Sequence, residues 1–344
     1  MKSVQLVAPR TLEPREMSMP SDPGPGEVLV KVREVGICGS DLHWYLEGGI
    51  GHRRSMYPQV LGHEPAGEVV AIGSGVRGLS PGQKVAIEPS ITCGHCEFCL
   101  RGRHNNCASS IFMGSPDLPG LFREYAVMPY RNAVPVPSDM SFTDITLLEP
   151  LAVMLHILEL VEIHLGDAVA VMGAGPIGLL TATIARIAGA ARVFIADKVP
   201  HRLRLAEQMG VDVALHSTAG SVRDAILDQT RGRGVDIVFD AAGAIETMNT
   251  AIRIARPGGR VVFIGIPSES NLPIDLHTAM DKELTLQTVK RSNHNVQGAI
   301  ALLRSGRIPK AFVTHYFPLE RTSEAFETLA EYSGGVGKAI IQIP

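Results

Sequence analysis

The chain is short of several things. Neither sign of charge dominates: 32 Lys and Arg stand against 35 Asp and Glu, a net charge of −3. Without a basic excess, nucleic acid is not an expected partner. The first 17 residues contain no long apolar run before Arg10 and Glu13, so no secretory signal is predicted. The longest uncharged run, 168–185, approaches membrane-spanning length, but a glycine-rich turn at 173–178 breaks it. A buried strand running into a buried helix is the expected reading, with no membrane partner. Repeats and low-complexity tracts are missing. Cysteine is scarce, five in 344 residues. A cytoplasmic, reducing location is expected, and there clustered cysteines serve metals more often than disulfides.

What is present is ordinary for a soluble globular protein: 45 % hydrophobic and 19 % charged residues. The length predicts two domains. From 27 to about 136, short apolar runs bounded by Gly and Pro predict a β-rich, loop-rich region. Near residue 147 the texture changes. A helix is expected over 144–165. Strands at 168–172, 192–196, 213–215, 235–241 and 260–264 then alternate with helices at 177–188, 202–209, 222–229 and 245–255, with a further strand near 283–289. This βαβ rhythm predicts a parallel sheet covered on both faces. The tail has helices near 296–305 and 322–331 and strands near 312–317 and 338–343. It does not extend the rhythm and is expected to return to the first domain.

Gly173-Ala-Gly175-Pro176-Ile177-Gly178 fits G-x-G-x-x-G, follows an apolar strand and opens a helix. The first Gly permits the tight turn, the second a close approach to pyrophosphate, the third close packing of helix on strand. The helix N-terminus offers free N–H groups to phosphate. Asp197 closes the next strand, where a carboxylate bonds a ribose 2′-hydroxyl and repels a 2′-phosphate. NAD is therefore expected over NADP, although Lys198, His201 and Arg202 soften that preference. Arg202 joins the candidate cofactor contacts.

Four of the five cysteines, Cys93, Cys96, Cys99 and Cys107, follow C-x2-C-x2-C-x7-C. Four thiolates suit a closed, tetrahedral structural zinc site, and a metal clip would replace the core that this Gly- and Asn-bearing loop lacks. Ferredoxin runs differ in their last gap. Redox disulfides and a nucleic-acid zinc ribbon fit less well, given three CxxC-spaced sulfurs plus a fourth, and only Arg101 and Arg103 nearby. His95 and His104 are assigned as loop residues.

Cys38 stands alone in Gly36-Ile-Cys-Gly-Ser-Asp-Leu-His43; His63-Glu64 and Leu148-Glu149-Pro150 lie downstream. Each is a weak signal. Beside a dinucleotide fold they suggest an open catalytic zinc site, with about three protein ligands and a position free for substrate. Zinc lowers the pKa of a bound hydroxyl, and Ser40 and His43 are spaced to relay its proton.

Taken together, GICGSDLH, GHEPAGEV, the four-cysteine lobe, LEPLAV, GAGPIG and Asp197 resemble the zinc-dependent medium-chain alcohol and polyol dehydrogenases over nearly the full length, most of all the sorbitol and xylitol dehydrogenase branch. The resemblance implies an α/β chain: a GroES-like β-rich catalytic domain over 1–152 and 289–344, with its zinc lobe at about 90–110, interrupted by a Rossmann NAD-binding domain over 153–288. It implies one catalytic and one structural zinc, NAD, and oxidation of a secondary alcohol, a polyol, to a ketone. Cys38, His63 and Glu64 would be zinc ligands. Glu149 would bind zinc directly or through its water, and the two glutamates can exchange. Ser40 and His43 match the relay, Arg291 a substrate-contacting arginine. A homo-oligomer is implied, a tetramer before a dimer. Two departures leave the particular polyol open: Trp44 and Ser292 stand where many sorbitol dehydrogenases carry Tyr. Trp44 reads equally as pocket wall or interface anchor. The alternatives are an L-threonine 3-dehydrogenase-like enzyme and a zinc-binding regulatory module.

Overall fold

A computed structural model describes residues 1–218 and 221–344. Its strands are shared mainly between two large sheets. Six parallel strands form one of them, in the order Val213–His216, Arg192–Asp197, Ala168–Met172, Val235–Asp240, Ala255–Phe263, Thr285–Thr288. Counted along the chain this is 3-2-1-4-5-6, the doubly wound order of dinucleotide-binding sheets.

Residue choice explains why this sheet is covered twice. In Ala168–Met172, Val169 and Val171 enter one core with helices Leu148–Leu160 and Pro176–Ala188. Ala170 and Met172 enter another with helices Val222–Gln229 and Ile245–Ile254. Both faces of the strand are apolar, as a parallel sheet requires, and each aliphatic side chain so buried contributes about 1.5–3 kcal/mol. Pro176 opens its helix where a missing N–H costs nothing, and Gly189, at φ 118°, ends it.

The second sheet runs Ala133–Pro135, Lys84–Ile87, Glu64–Ile72, Glu27–Gly36, Lys338–Gln342, Val313–Pro318, with Tyr125–Pro129 also paired to Glu27–Gly36. The expected return of the tail is thus seen in the pairing: Ile340 faces Gly36 and Gln342 faces Glu34. Phe326, Ala339 and Ile341 share a core with Val28, Val30 and Val69.

Some elements differ from expectation. The helix expected over 144–165 is two, Phe142–Thr146 and Leu148–Leu160, divided at Leu147. Ser141 Oγ caps the first by accepting from Asp144 N, and Pro150 sits in the first turn of the second, where it is tolerated. Gly39–Glu47 is a helix within the region read as strands and loops. Its inward face is only Asp41, Trp44 and Tyr45, too short a period to stand out, and Gly48 at φ 64° stops it. The hairpin Lys2–Ala8 with Thr11–Glu16 and the helix Leu276–Asp281 were also outside the expectation. Among the described residues, no helix is long and apolar enough to cross a membrane.

Candidate active site and cysteine lobe

The 173–178 turn leaves the sheet where the strand order reverses, with Arg192–Asp197 on one side and Val235–Asp240 on the other. Its three glycines are distinguished by their surroundings. Gly173 has φ 100°. A Cβ on Gly178 would lie 1.8 Å from the Gly173 carbonyl oxygen. At Gly175 a Cβ would meet only Arg202 Nη1, 3.8 Å away, so backbone there is open to a ligand. The adjoining cleft, about 710 Å³, is lined by Gly173, Gly175, Asp197, Lys198, Arg202 and Tyr332 among others. Asp197 accepts from Ala174 N at 2.6 Å and Val199 N at 2.8 Å, fastening turn to strand. Arg202 stacks on Tyr332 at 4.5 Å, and its buried Nε has no partner. A free donor beside an uncrowded helix N-terminus suits a dinucleotide phosphate.

A second cavity, about 340 Å³, gathers Cys38, Ser40, Trp44, His63, Glu149 and Arg291. Ile177 and Val289 line it from the side of the parallel sheet. Trp44 is 5 % exposed and forms wall rather than surface. Asp41, fully buried, organises the reacting end: one oxygen accepts from Cys38 N at 3.0 Å, the other from Gly62 N at 3.1 Å. The latter oxygen lies 3.3 Å from His63 Nδ1. That contact orients the ring and leaves Nε2 for Ser40 Oγ, 3.3 Å away, or for a metal. Burial alone would lower the His63 pKa, but Asp41 and then Cys38 beside it hold it well above the ordinary value. Burial raises Glu149 to about 8; His63 opposes the rise, and Glu64 and Glu88 add to it.

Glu64 and His43 do not line this cavity. Glu64 follows His63 directly, and successive side chains of an extended chain point to opposite faces. It forms a buried ion pair with Lys338 from the returning tail. His43 Nδ1 contacts Glu47 Oε1 at 2.9 Å, one turn along the same helix. The donors that do face the cavity, a thiol, an imidazole and a carboxylate, fit zinc with an open position.

The cysteine lobe is tighter. Among the described residues, Cys93, Cys96, Cys99 and Cys107 form the one group of three or more candidate ligand residues whose ligand atoms lie within 4.8 Å of one another. The helix Glu97–Leu100 presents Cys99 one turn after Cys96, and the 3-10 turn His104–Asn106 brings back Cys107. Cys93 Sγ is 4.0 Å from Cys99 Sγ and 3.5 Å from Cys107 Sγ. Four sulfurs about 2.3 Å from a tetrahedral zinc stand roughly 3.8 Å apart, so these separations fit the ion. Backbone N–H groups of Cys99 and Ala108 lower the Cys96 thiol to about 6, while burial pushes Cys99 up to about 12.

The lobe also grips the loop that carries Arg291. Asn293 Oδ1 accepts from His104 N at 2.9 Å, and its Nδ2 donates to Gly102 O at 2.8 Å. Asn105 Nδ2 donates to Lys290 O at 3.1 Å. Arg291 sits at φ 56°, with its guanidinium 3.8 Å above the Phe112 ring. Burial, then Arg53 nearby, lower its pKa to about 10.

Several site residues escaped the sequence reading: Asp41, Arg53, Phe112, Ser115 and Lys338. Asp41 lay in view inside GICGSDLH. Lys338 has no local signal, because only the tail's pairing brings it to Glu64.

Comparison with known proteins agrees with this geometry. Residues 24–138 match the alcohol dehydrogenase GroES-like domain, and 176–305 match the zinc-binding dehydrogenase domain. The chain is 34 % identical to sorbitol dehydrogenase of Bacillus subtilis, over 92 % of this chain and 90 % of that one. It is 39 % identical to L-arabinitol 4-dehydrogenase of Aspergillus oryzae, over 92 % and 86 % respectively. The crystal structure of galactitol-1-phosphate dehydrogenase from Escherichia coli superposes with a TM-score of 0.90 at 30 % identity, covering 99 % of this chain and all of the other. The chain belongs to the zinc-binding alcohol dehydrogenase family. It is a zinc- and NAD-dependent dehydrogenase with a GroES-like domain and a Rossmann domain.

Proposed function

We propose that the protein oxidises one secondary carbinol of a polyol to the ketone, passing the hydride to NAD. The observation that carries this reading is the single cavity in which Cys38, Ser40, His63 and Glu149 meet Ile177, the residue of the glycine-rich turn that faces inward. Cys38, His63 and Glu149 would hold the catalytic zinc, and Cys93, Cys96, Cys99 and Cys107 the structural one. Zinc supplies Lewis-acid polarisation of the carbinol oxygen, and NAD is the hydride acceptor. Ser40 takes the carbinol proton. His43, three residues on, and Glu47, four further, lie along the same helix and carry that proton toward solvent. Asp41 keeps His63 oriented throughout. Glu64, paired with Lys338, stays out of the substrate cavity in this arrangement. Arg291 contacts the substrate and Trp44 walls it in. Gly173, Gly175, Pro176, Ile177, Gly178, Asp197 and Arg202 hold the cofactor.

The reading extends to organisation. The catalytic domain comprises 1–152 and 289–344 and the NAD domain 153–288, a division supported by the two sheets. The protein acts in the cytoplasm as a homo-oligomer, a tetramer. Support for assembly comes from the edge strand Thr285–Thr288, whose outer backbone is unpaired, with Leu276 and Met280 exposed nearby.

Zinc-loaded enzyme mixed with NAD and xylitol, sorbitol, L-arabinitol or L-threonine tests the activity by NADH absorbance. At least one polyol should be oxidised well above L-threonine. Turnover of L-threonine alone, or of none of the four, rejects the reading.

A further inference from the structure

We propose that the substrate is an acidic polyol, a hydroxylated chain bearing a carboxylate or phosphate, and that Arg53 and Arg291 bind this oxyanion. The inference rests on the polyol dehydrogenase reading and narrows it to a substrate class.

Three cations, Arg53, Lys290 and Arg291, line the 340 Å³ cavity whose other end holds Cys38, His63 and Glu149. The resemblance to sorbitol dehydrogenases accounts for Arg291 with a neutral polyol, but gives no role to Arg53 or Lys290. Three carboxylates, Asp117, Glu149 and Glu88, act on Arg291 from a distance. Asp117 pairs with Arg53. Glu149 stands at the reacting end, and Glu88 lies beneath the loop, its Oε1 3.5 Å from Ser292 Oγ. Among the described residues, Arg291 makes no hydrogen bond and no ion pair. It lies flat against Phe112, which strips water from one face of the guanidinium and supplies no countercharge. The carboxylates offset part of its burial without hydrogen-bonding it, which leaves its N–H groups for a ligand.

Arg53 and Arg291 line the same cavity, and Arg53 disfavours the charge on Arg291. Folding thus brings like charges together at the wall of a pocket. Neutral hydroxyls accept single hydrogen bonds and leave that repulsion standing. A carboxylate or phosphate between the two forks removes it and accepts paired N–H bonds from each.

The backbone places this arrangement deliberately. Arg291 occupies the left-handed region at φ 56°, which is uncommon for a non-glycine residue and costs on the order of 1 kcal/mol or more. The asparagine contacts from the cysteine lobe hold the loop there. Arg53 approaches from the hairpin Gly49–Ile50 with Arg53–Arg54. Half-exposed, it swings from Asp117 to a ligand without disturbing a core.

The experiment uses zinc-loaded enzyme with NAD and three matched compounds: sorbitol, D-gluconate and sorbitol 6-phosphate. One anionic compound should exceed sorbitol in kcat/KM by at least about tenfold, mostly through KM, and added salt should erode the advantage. Whichever anion leads identifies carboxylate or phosphate. Arg53→Gln should reduce the anion-to-sorbitol preference about tenfold, and Arg53→Lys should restore part of it. Because Trp44 is the only tryptophan and lines the cavity, its fluorescence, read without cofactor, gives an independent binding curve, and the anion should saturate it at lower concentration than sorbitol. Sorbitol oxidised as well as either anion, with a preference unmoved by Arg53→Gln, overturns the proposal and leaves polyol oxidation standing. An anion that binds by fluorescence yet is never oxidised also overturns it, since the site then serves an inhibitor. No turnover of any polyol, charged or neutral, overturns the inference together with the reading beneath it.

Discussion

Cysteine is used in opposite ways at two places in this molecule. In the lobe, four sulfurs face one another, backbone N–H groups point at them, and two of the four are almost wholly buried. A metal there has every position filled. At Cys38, one sulfur faces a cavity, its companions are an imidazole and a carboxylate, and the remaining direction is open. The difference teaches that ligand identity follows from what else must enter. A site that admits nothing can be four identical donors close in sequence. A site that admits substrate draws its donors from distant parts of the chain, because the empty side must face a groove that only tertiary structure makes.

The comparison can be broken by mutation. Cys38→Ser should lower kcat/KM by at least about a thousandfold, equivalent to about 4 kcal/mol of barrier, while the melting temperature stays close to the parent's. Cys96→Ser should do the reverse. It removes a thiolate that backbone N–H groups favour, and should lose one zinc per chain, seen as a melting temperature lower by on the order of 5–10 °C. Comparable unfolding in both variants would erase the distinction between the two sites.

Glu88 tests the ground between the sites. Burial raises its carboxyl to about 7, with Ser90 N–H, Ser292 and Arg291 resisting. The folded protein therefore holds this proton more tightly than the unfolded chain. The associated stability is whole below the ordinary carboxylate range and is lost as pH rises through about 7. Glu88→Gln should match the parent near pH 5 and melt higher than it near pH 8.5, by at most about 3 kcal/mol. An equal difference at both pH values would mean that the proton on Glu88 is not the cause.

The smallest effect expected joins the two regions. Asn293→Ala removes two of the three hydrogen bonds described between the Arg291 loop and the lobe, each worth about 1 kcal/mol net. Substrate KM should rise several-fold more than kcat falls. A variant that loses zinc from the lobe but keeps its KM would separate the two regions after all.

Local patterns made much of this legible. The C-x2-C-x2-C-x7-C run carries its whole site within one loop, and GAGPIG carries strand end, turn and helix start together. The parallel sheet was readable because both faces of strands such as Ala168–Met172 are apolar. What escaped reading depends on pairs far apart in the chain. The resemblance implies Glu64 as a zinc ligand that exchanges with Glu149; its ion-pair partner Lys338, which no local pattern announces, arrives only with the strand Lys338–Gln342. Arg53 carries no local signal, and only the cavity sets it with Arg291. The helix Gly39–Glu47 was hidden because its buried face is one acid and two aromatics rather than an aliphatic stripe.

The strand Lys338–Gln342 lies between Glu27–Gly36 and Val313–Pro318. A ribosome therefore releases the nucleotide-binding sheet, complete by Thr288, before it has made the last two strands of the catalytic-domain sheet. The half of the protein synthesised first must wait for the half synthesised last. Until residue 338 emerges, Glu64 lacks its ion-pair partner and part of the strand Glu27–Gly36 is left as an open edge of the sheet, a stage at which nascent chains are vulnerable to misassembly. The order of birth along this polypeptide is thus the reverse of the order in which its two catalytic halves can mature.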